Sequence, residues 1–330
     1  MKILQEKNTH PNMVNSSILE SLMNQTSITP NMFVEYTRWT LIFLIVVGFG
    51  FFICFIVMIF NAFFKSPRLR DSARYVLFLY MLINDIFFIS LGFYLLLTAV
   101  YGVKIPVPLC YFLYTLSSIT FRVTPYNLAA MALEQYVAIC HPLHHVLFCT
   151  TNRAHAAFTA ICSMLTIPYA VELYVMISSL TNIFNLYIVC RQEFLLVNPV
   201  QYVIRSANLI LCFSSVAFII LVTYIKISLV AHRVSSKSSS ASKAGRTVML
   251  HAIQLLLCMA SILSMLTESL PIKQFEVLPT ANFLVFTCLP RFLSPVIYGV
   301  RDETLREHMK RSLPRWFCNI FGSNKEKVSR

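Results

Sequence analysis

Charged and polar side chains are scarce in this chain, and several stand inside apolar runs, so the chemistry on offer is binding and switching rather than bond-making. Tyr111, Thr115, Ser118, Arg122 and Tyr126 step by 4, 3, 4 and 4 residues, a spacing that lines them along one face of a helix. Arginine does not shed its proton, so Arg122 needs an anion, a cage of carbonyls or water. Two readings are open for it: a counter-ion for a carboxylate- or phosphate-bearing ligand, or a buried pair with Glu172 or another protein carboxylate. Asp85, preceded by Asn84, lies mid-way along a second apolar run and needs a partner from another helix. Either it joins a sodium-and-water cluster or it is a protonated carboxyl bonded to Asn84 or Ser294. A third group, Glu134, Gln135 and Tyr136, closes an apolar run just before Pro142. Enzyme chemistry is not expected: there is no Ser/His/Asp set, metal-spaced cluster or glycine-rich phosphate loop. His141, His144 and His145 sit in a loop, as solvated or phosphate-contacting groups rather than metal ligands. No cofactor is expected.

The elements that must position these groups follow from composition. Apolar residues make up 57% of the 330 positions and charged residues only 12%, against roughly a quarter charged in soluble domains. A membrane-spanning helix needs about 20 mainly apolar residues. Seven runs qualify, near 39–64, 75–101, 109–133, 156–180, 201–225, 248–270 and 278–300. The expected fold is therefore all-α, a seven-helix transmembrane bundle without a separate soluble domain. Prolines inside the spans (Pro125, Pro168, Pro290 and Pro295) mark kinks, with a hinge in the seventh. Residues 302–317 place Leu305, Met309, Leu313 and Trp316 on one stripe, a short amphipathic helix lying on the membrane.

Orientation follows from Lys and Arg. With the first residues outside, 18 of the 27 basic side chains fall on the cytosolic side and seven on the other. The positive-inside rule then places the N-terminus outside and the tail in the cytosol. The net charge of +13 expresses this asymmetry and attraction to anionic lipid, not nucleic-acid binding. The division is 1–37 as an extracellular, glycosylated N-terminus, 38–300 as the seven-span domain, and 301–330 as the amphipathic helix and tail. Asn15-Ser-Ser and Asn24-Gln-Thr are the glycosylation acceptors. Of ten cysteines, only Cys110 and Cys190 fall in outside positions, where a disulfide can form and pin the loop after the fourth span over the bundle. The 234–243 segment is a serine- and lysine-rich connection open to phosphorylation, and Cys318 is a candidate for palmitoylation. The outer half of the third span carries no carboxylate, which argues against an amine ligand.

Met131-Ala-Leu-Glu-Gln-Tyr-Val-Ala-Ile-Cys-His-Pro-Leu143 resembles the end of the third helix of olfactory receptors, M-A-x-(D/E)-R-Y-V-A-I-C-x-P-L. Thr223-Tyr-Ile-Lys-Ile227 resembles their S-Y-x-x-I, and Lys243-Ala-Gly-Arg-Thr247 with His251 resembles the opening of their sixth helix. Ser294-Pro-Val-Ile-Tyr298-Gly is similar to the seventh-helix motif in the serine form of fish-type receptors. Cys110 stands 25 residues before Gln135, as the family's disulfide cysteine stands before its arginine. The resemblance implies a class A G-protein-coupled receptor in the plasma membrane. It would bind a small odorant, a candidate anion, and raise cyclic AMP through a stimulatory G protein. Carried over by position, the pocket would include Ser117, Ser118, Phe121, Arg122, Asn208, Cys212, Met259, Ile262 and Thr287. The switch would use Glu134, Gln135, Tyr136, Tyr224, His251, Pro295 and Tyr298, and Asp85 with Ser294 would form a sodium or water site. A non-olfactory class A receptor and a seven-helix transporter are the alternatives. Two departures stand out. Gln135 replaces the family's arginine, leaving Glu134 to protonate or to find another donor. Ile56 occupies the place of the first helix's asparagine.

Overall fold

The computed structural model describes residues 32–179, 186–191, 195, 199–234, 253, 256 and 277–301. Five helical units come first: α1 (Met32–Lys65), α2 (Pro67–Arg70), α3 (Ala73–Val100), α4 (Val107–Cys140) and α5 (Pro142–Phe148). They are followed by α6 (Thr151–Ser179), α7 (Pro199–Val234), α8 (Leu278–Asn282) and α9 (Leu289–Arg301), with a π-helical turn at Phe283–Cys288 between the last two. The sixth apolar run lies outside the described residues save Ile253 and Leu256, as do the N-terminal segment, the serine-rich connection and the amphipathic stretch after 301.

The helices turn apolar side chains both inward and outward. Phe43, Phe51, Tyr174, Ile210, Leu211 and Phe218 are exposed, the inverse of a soluble bundle and the pattern expected where lipid is the solvent. Among the described residues, α1, α3, α6 and α7 are long and apolar enough to cross a membrane. The helix α4 is not among them, because it holds its polar residues at the centre of the bundle, packed against α3, α6 and α7. The helices also overrun their apolar windows: α4 continues to Cys140 and α7 to Val234. Hydropathy marks the hydrocarbon slab, whereas the helix continues through the headgroups.

The last span is helical but not uniform. Pro290 has no N–H to donate to the carbonyl one turn back, and its ring crowds that carbonyl. The π turn immediately before it widens the coil where the regular bond is lost. Two glycines let this span come close to its neighbours. A Cβ on Gly92 of α3 would stand 2.6 Å from the Phe283 ring, and one on Gly48 of α1 would stand 2.8 Å from Phe292. The largest buried cluster joins these helices, with Ile56, Met81, Leu82, Leu128, Met131 and Cys288 at its centre. Cys54 is exposed on α1.

At one end of the bundle, β1 (Lys104–Pro106) pairs antiparallel with β2 (Tyr187–Val189), in register Lys104↔Val189 and Ile105↔Ile188. Gly102, with φ +64°, makes the turn leading into β1. A disulfide joins Cys110 at the top of α4 to Cys190 just after β2, with 5.5 Å between the α-carbons. Tyr111, Met176, Ile188 and Leu195 pack beneath it. The expected disulfide is therefore formed, and it fixes the two-stranded sheet against α4 and α6.

Candidate functional site

The polar face of α4 points toward the junction with α6 and α7. Tyr111 donates to the main-chain oxygen of Tyr169 at 2.8 Å. Arg122 lies over the Tyr169 ring, 5.3 Å from its centre. Tyr126 meets Ser215 of α7 at 3.4 Å. Arg122 is only 3% exposed. Its one hydrogen bond among the described residues is long, 3.5 Å from Nη1 to the Ser118 carbonyl, and its Nε has no acceptor.

Glu172 does not supply the missing anion. Its carboxylate takes Arg205 of α7 at 2.6 Å, and Gln201 donates to its main-chain oxygen at 3.2 Å. The pairing of Arg122 with Glu172 considered above is thus not formed. Arg205, counted from the sequence among the outside charges, is buried and stacked over Tyr114. The sequence offered a signal for this: Arg205, Asn208 and Cys212 step by three and four residues along one face of α7.

Deeper in the bundle, Asp85 is fully buried and faces Arg291 of α9 in an ion pair. Thr124 of α4 donates to the same carboxylate oxygen at 2.8 Å and accepts from Arg291 at 3.0 Å. Asn84 does not bond Asp85; it donates to Thr124 and to the Thr120 carbonyl. The guanidinium of Arg291 lies 4.0 Å from the centre of the Phe88 ring and 6.0 Å from that of Phe121. The cation facing Asp85 is therefore covalently part of the chain. Ser294 is buried one turn further along α9. Nothing near Asp85 in sequence pointed to Arg291, which comes from 206 residues away.

Of the pocket residues carried over by resemblance, Phe121 packs between Phe88 and Phe213. Cys212 is buried on α7 within charge range of Arg122, and Asn208 lies one turn before it. Ser117 and Ser118 are half-buried and present their carbonyls to Thr120 and Arg122. Thr287 is buried on the π turn. Met259, Ile262 and His251 lie outside the described residues, as do Asn15 and Asn24.

At the far end of α4 the acidic residue has found a different donor. Glu134 meets Nε2 of His145, from α5, at 2.9 Å. Gln135 is buried beside it, and Tyr136 contacts His141 at 3.3 Å. Burial first, and then the Glu134 carboxylate, raise the nearby Cys149 thiol above its ordinary value, while Arg153 acts the other way. Tyr224 is exposed on α7, Pro295 is buried in α9, and Tyr298 lies in the same helix.

Residues 56–298 match the family described as "7 transmembrane receptor (rhodopsin family)". The chain belongs to that family. Zebrafish (Danio rerio) "Odorant receptor 131-2" is 30% identical to the receptor over 281 residues, 82% of this chain and 84% of the relative. Human (Homo sapiens) "Olfactory receptor 6N1" is 29% identical over 203 residues, 58% of this chain and 62% of that protein. The receptor is thus a multi-pass membrane protein of the class A olfactory type and not an enzyme. Transporter architecture is set aside by the same match.

Proposed function

We propose that this receptor senses a small odorant within its helix bundle and passes the signal to a stimulatory, cyclic-AMP-raising G protein. The observation that carries this reading is similarity to an odorant receptor along 82% of the chain. The geometry supports a location for the ligand: the polar face of α4, below the disulfide-held pair of strands and facing α6 and α7. In this reading the disulfide end and the glycosylated N-terminus, with Asn15 and Asn24, face outside. The Glu134 end, the serine-rich connection and the amphipathic helix of 301–330 lie in the plasma membrane's cytosolic boundary, against anionic lipid. Ser117, Phe121, Cys212, Met259, Ile262 and Thr287 complete the pocket, and Tyr224, His251, Pro295 and Tyr298 belong to the switch.

Cells expressing the full chain with a stimulatory olfactory G protein test the reading directly. Odorants are expected to raise cyclic AMP in a dose-dependent way. Signalling only through an inhibitory or calcium-mobilising G protein would replace the coupling assignment. Activation by peptides or lipids with no odorant response would replace the ligand assignment.

A further inference from the structure

We propose that the ligand is a small organic monoanion, a carboxylate on an apolar body, anchored by Arg122 with Thr115 and Asn208 as further donors. This rests on the odorant-receptor reading and names the ligand class of the same site.

The first argument is charge. Arg122, Arg205 and Glu172 are buried within charge range of one another, and Glu172 is taken by Arg205. Among the described residues this leaves one positive charge unmatched in the apolar interior, where an unpaired ion is costly. A monoanion cancels it. A zwitterion adds no net charge, and a dianion overshoots.

The second argument is donors without acceptors. Nε of Arg122 and Nδ2 of Asn208 are buried and unbonded among the described residues, and Oγ1 of Thr115 is buried beside the Tyr111 hydroxyl. Buried donors are nearly always satisfied in a finished site. Thr115 and Asn208 also lie at matching depth, with Arg122 seven residues further along α4, about 10 Å deeper at its backbone. Helices α4 and α7 both start at the disulfide end and run the same way, so Thr115 and Asn208 stand about 12–14 Å below the helix starts. Side chains on a helix lean toward its N-terminus, and the bond from Arg122 to the Ser118 carbonyl shows its guanidinium pointing up toward that level. A planar carboxylate suits the guanidinium fork. The apolar body would lie against Phe121, Phe213 and Cys212.

The test uses the purified full-length receptor and the same receptor in cells. Thermal melting is followed with hexanoate, benzoate and phenylacetate against the corresponding amides, methyl esters, amino acids and alkyl phosphates; cyclic AMP is read with the same panel. Carboxylates are expected to bind about a hundredfold more tightly than their amides, the scale of a buried charge pair lost on truncation. Arg122→Gln should remove that preference. Arg122→Lys keeps the charge but loses the fork, so it should weaken the preference roughly tenfold and serves if the glutamine variant fails to reach the surface. The proposal is overturned if amides match carboxylates, if either variant leaves the preference unchanged, or if carboxylates act in neither assay. Stabilisation by carboxylates without a cyclic AMP response supports the anion site and sinks the coupling reading. Activation by neutral odorants alone keeps the odorant reading and sinks the anion.

Discussion

Of the three arginines buried among the described residues, Arg122 and Arg291 are treated in opposite ways. Arg291 meets Asp85, Thr124 and the face of Phe88, so its charge is matched and its ring-like cation is covered. Arg122, next in sequence to the Phe121 ring that borders Arg291, points the other way and has one long bond to a carbonyl. A matched buried pair ties three helices together. A buried cation with no carboxylate partner, resting on the Tyr169 ring and one long bond, stays available to an anion that arrives. On the proposed reading, the difference separates a structural use of charge from a recognition use within a single helix turn of α4.

The comparison breaks most visibly at Asp85. Asp85→Asn or Arg291→Gln alone strands a buried charge and should lower stability by about 3–5 kcal/mol, read as lost surface expression and a lower melting temperature. The double variant is expected to recover most of that loss. Simple additivity in the cycle would show the pair is not coupled. Arg122→Met should go the other way in the ligand-free receptor, raising stability by about 1–3 kcal/mol through removal of an unsatisfied buried group. A loss comparable to that of the Arg291 variant would mean Arg122 is already matched inside the protein.

Smaller effects refine the contrast. Gly92→Ala places a methyl group against Phe283 on the π turn that leads to Arg291. Overpacking there should cost about 1–3 kcal/mol and loosen the Asp85–Arg291 contact. A melting temperature equal to wild type would show that the ring simply moves aside. The smallest effect concerns the half-exposed contact of Glu134 with His145. His145→Ala should remove up to about 1 kcal/mol of restraint and raise basal cyclic AMP a few-fold. Gln135→Arg gives Glu134 a nearer partner and should lower basal output. Unchanged basal cyclic AMP in both variants would remove this contact from the switch.

Much of the frame was legible beforehand because lipid imposes a strong rule on sequence: spans must be long and apolar, and each must satisfy its own backbone. The Tyr111-to-Tyr126 stripe was visible as a spacing, the Cys110–Cys190 disulfide as the two cysteines in outside positions, and the polar end of α4 as charge closing an apolar run. Partners were harder. Arg205 looked like a loop charge because it lies near the start of a span, yet α7 begins at Pro199 and carries it inside. Arg291, inside the seventh span just before its kink, read as structural from its position, but nothing in the sequence named Asp85 as its partner. His145 sat in a histidine cluster that gave no hint of its carboxylate.

By itself the sequence determined that this protein crosses the membrane repeatedly, that α4 ends on the polar group Glu134, Gln135 and Tyr136, and that Arg122 sits where a charge is costly. Only the tertiary structure decided which carboxylate each arginine receives. Hydropathy and periodicity are local properties of a chain and survive in any single helix. Pairing between side chains 33 and 206 residues apart depends on how the helices are rotated and packed, which no one helix encodes.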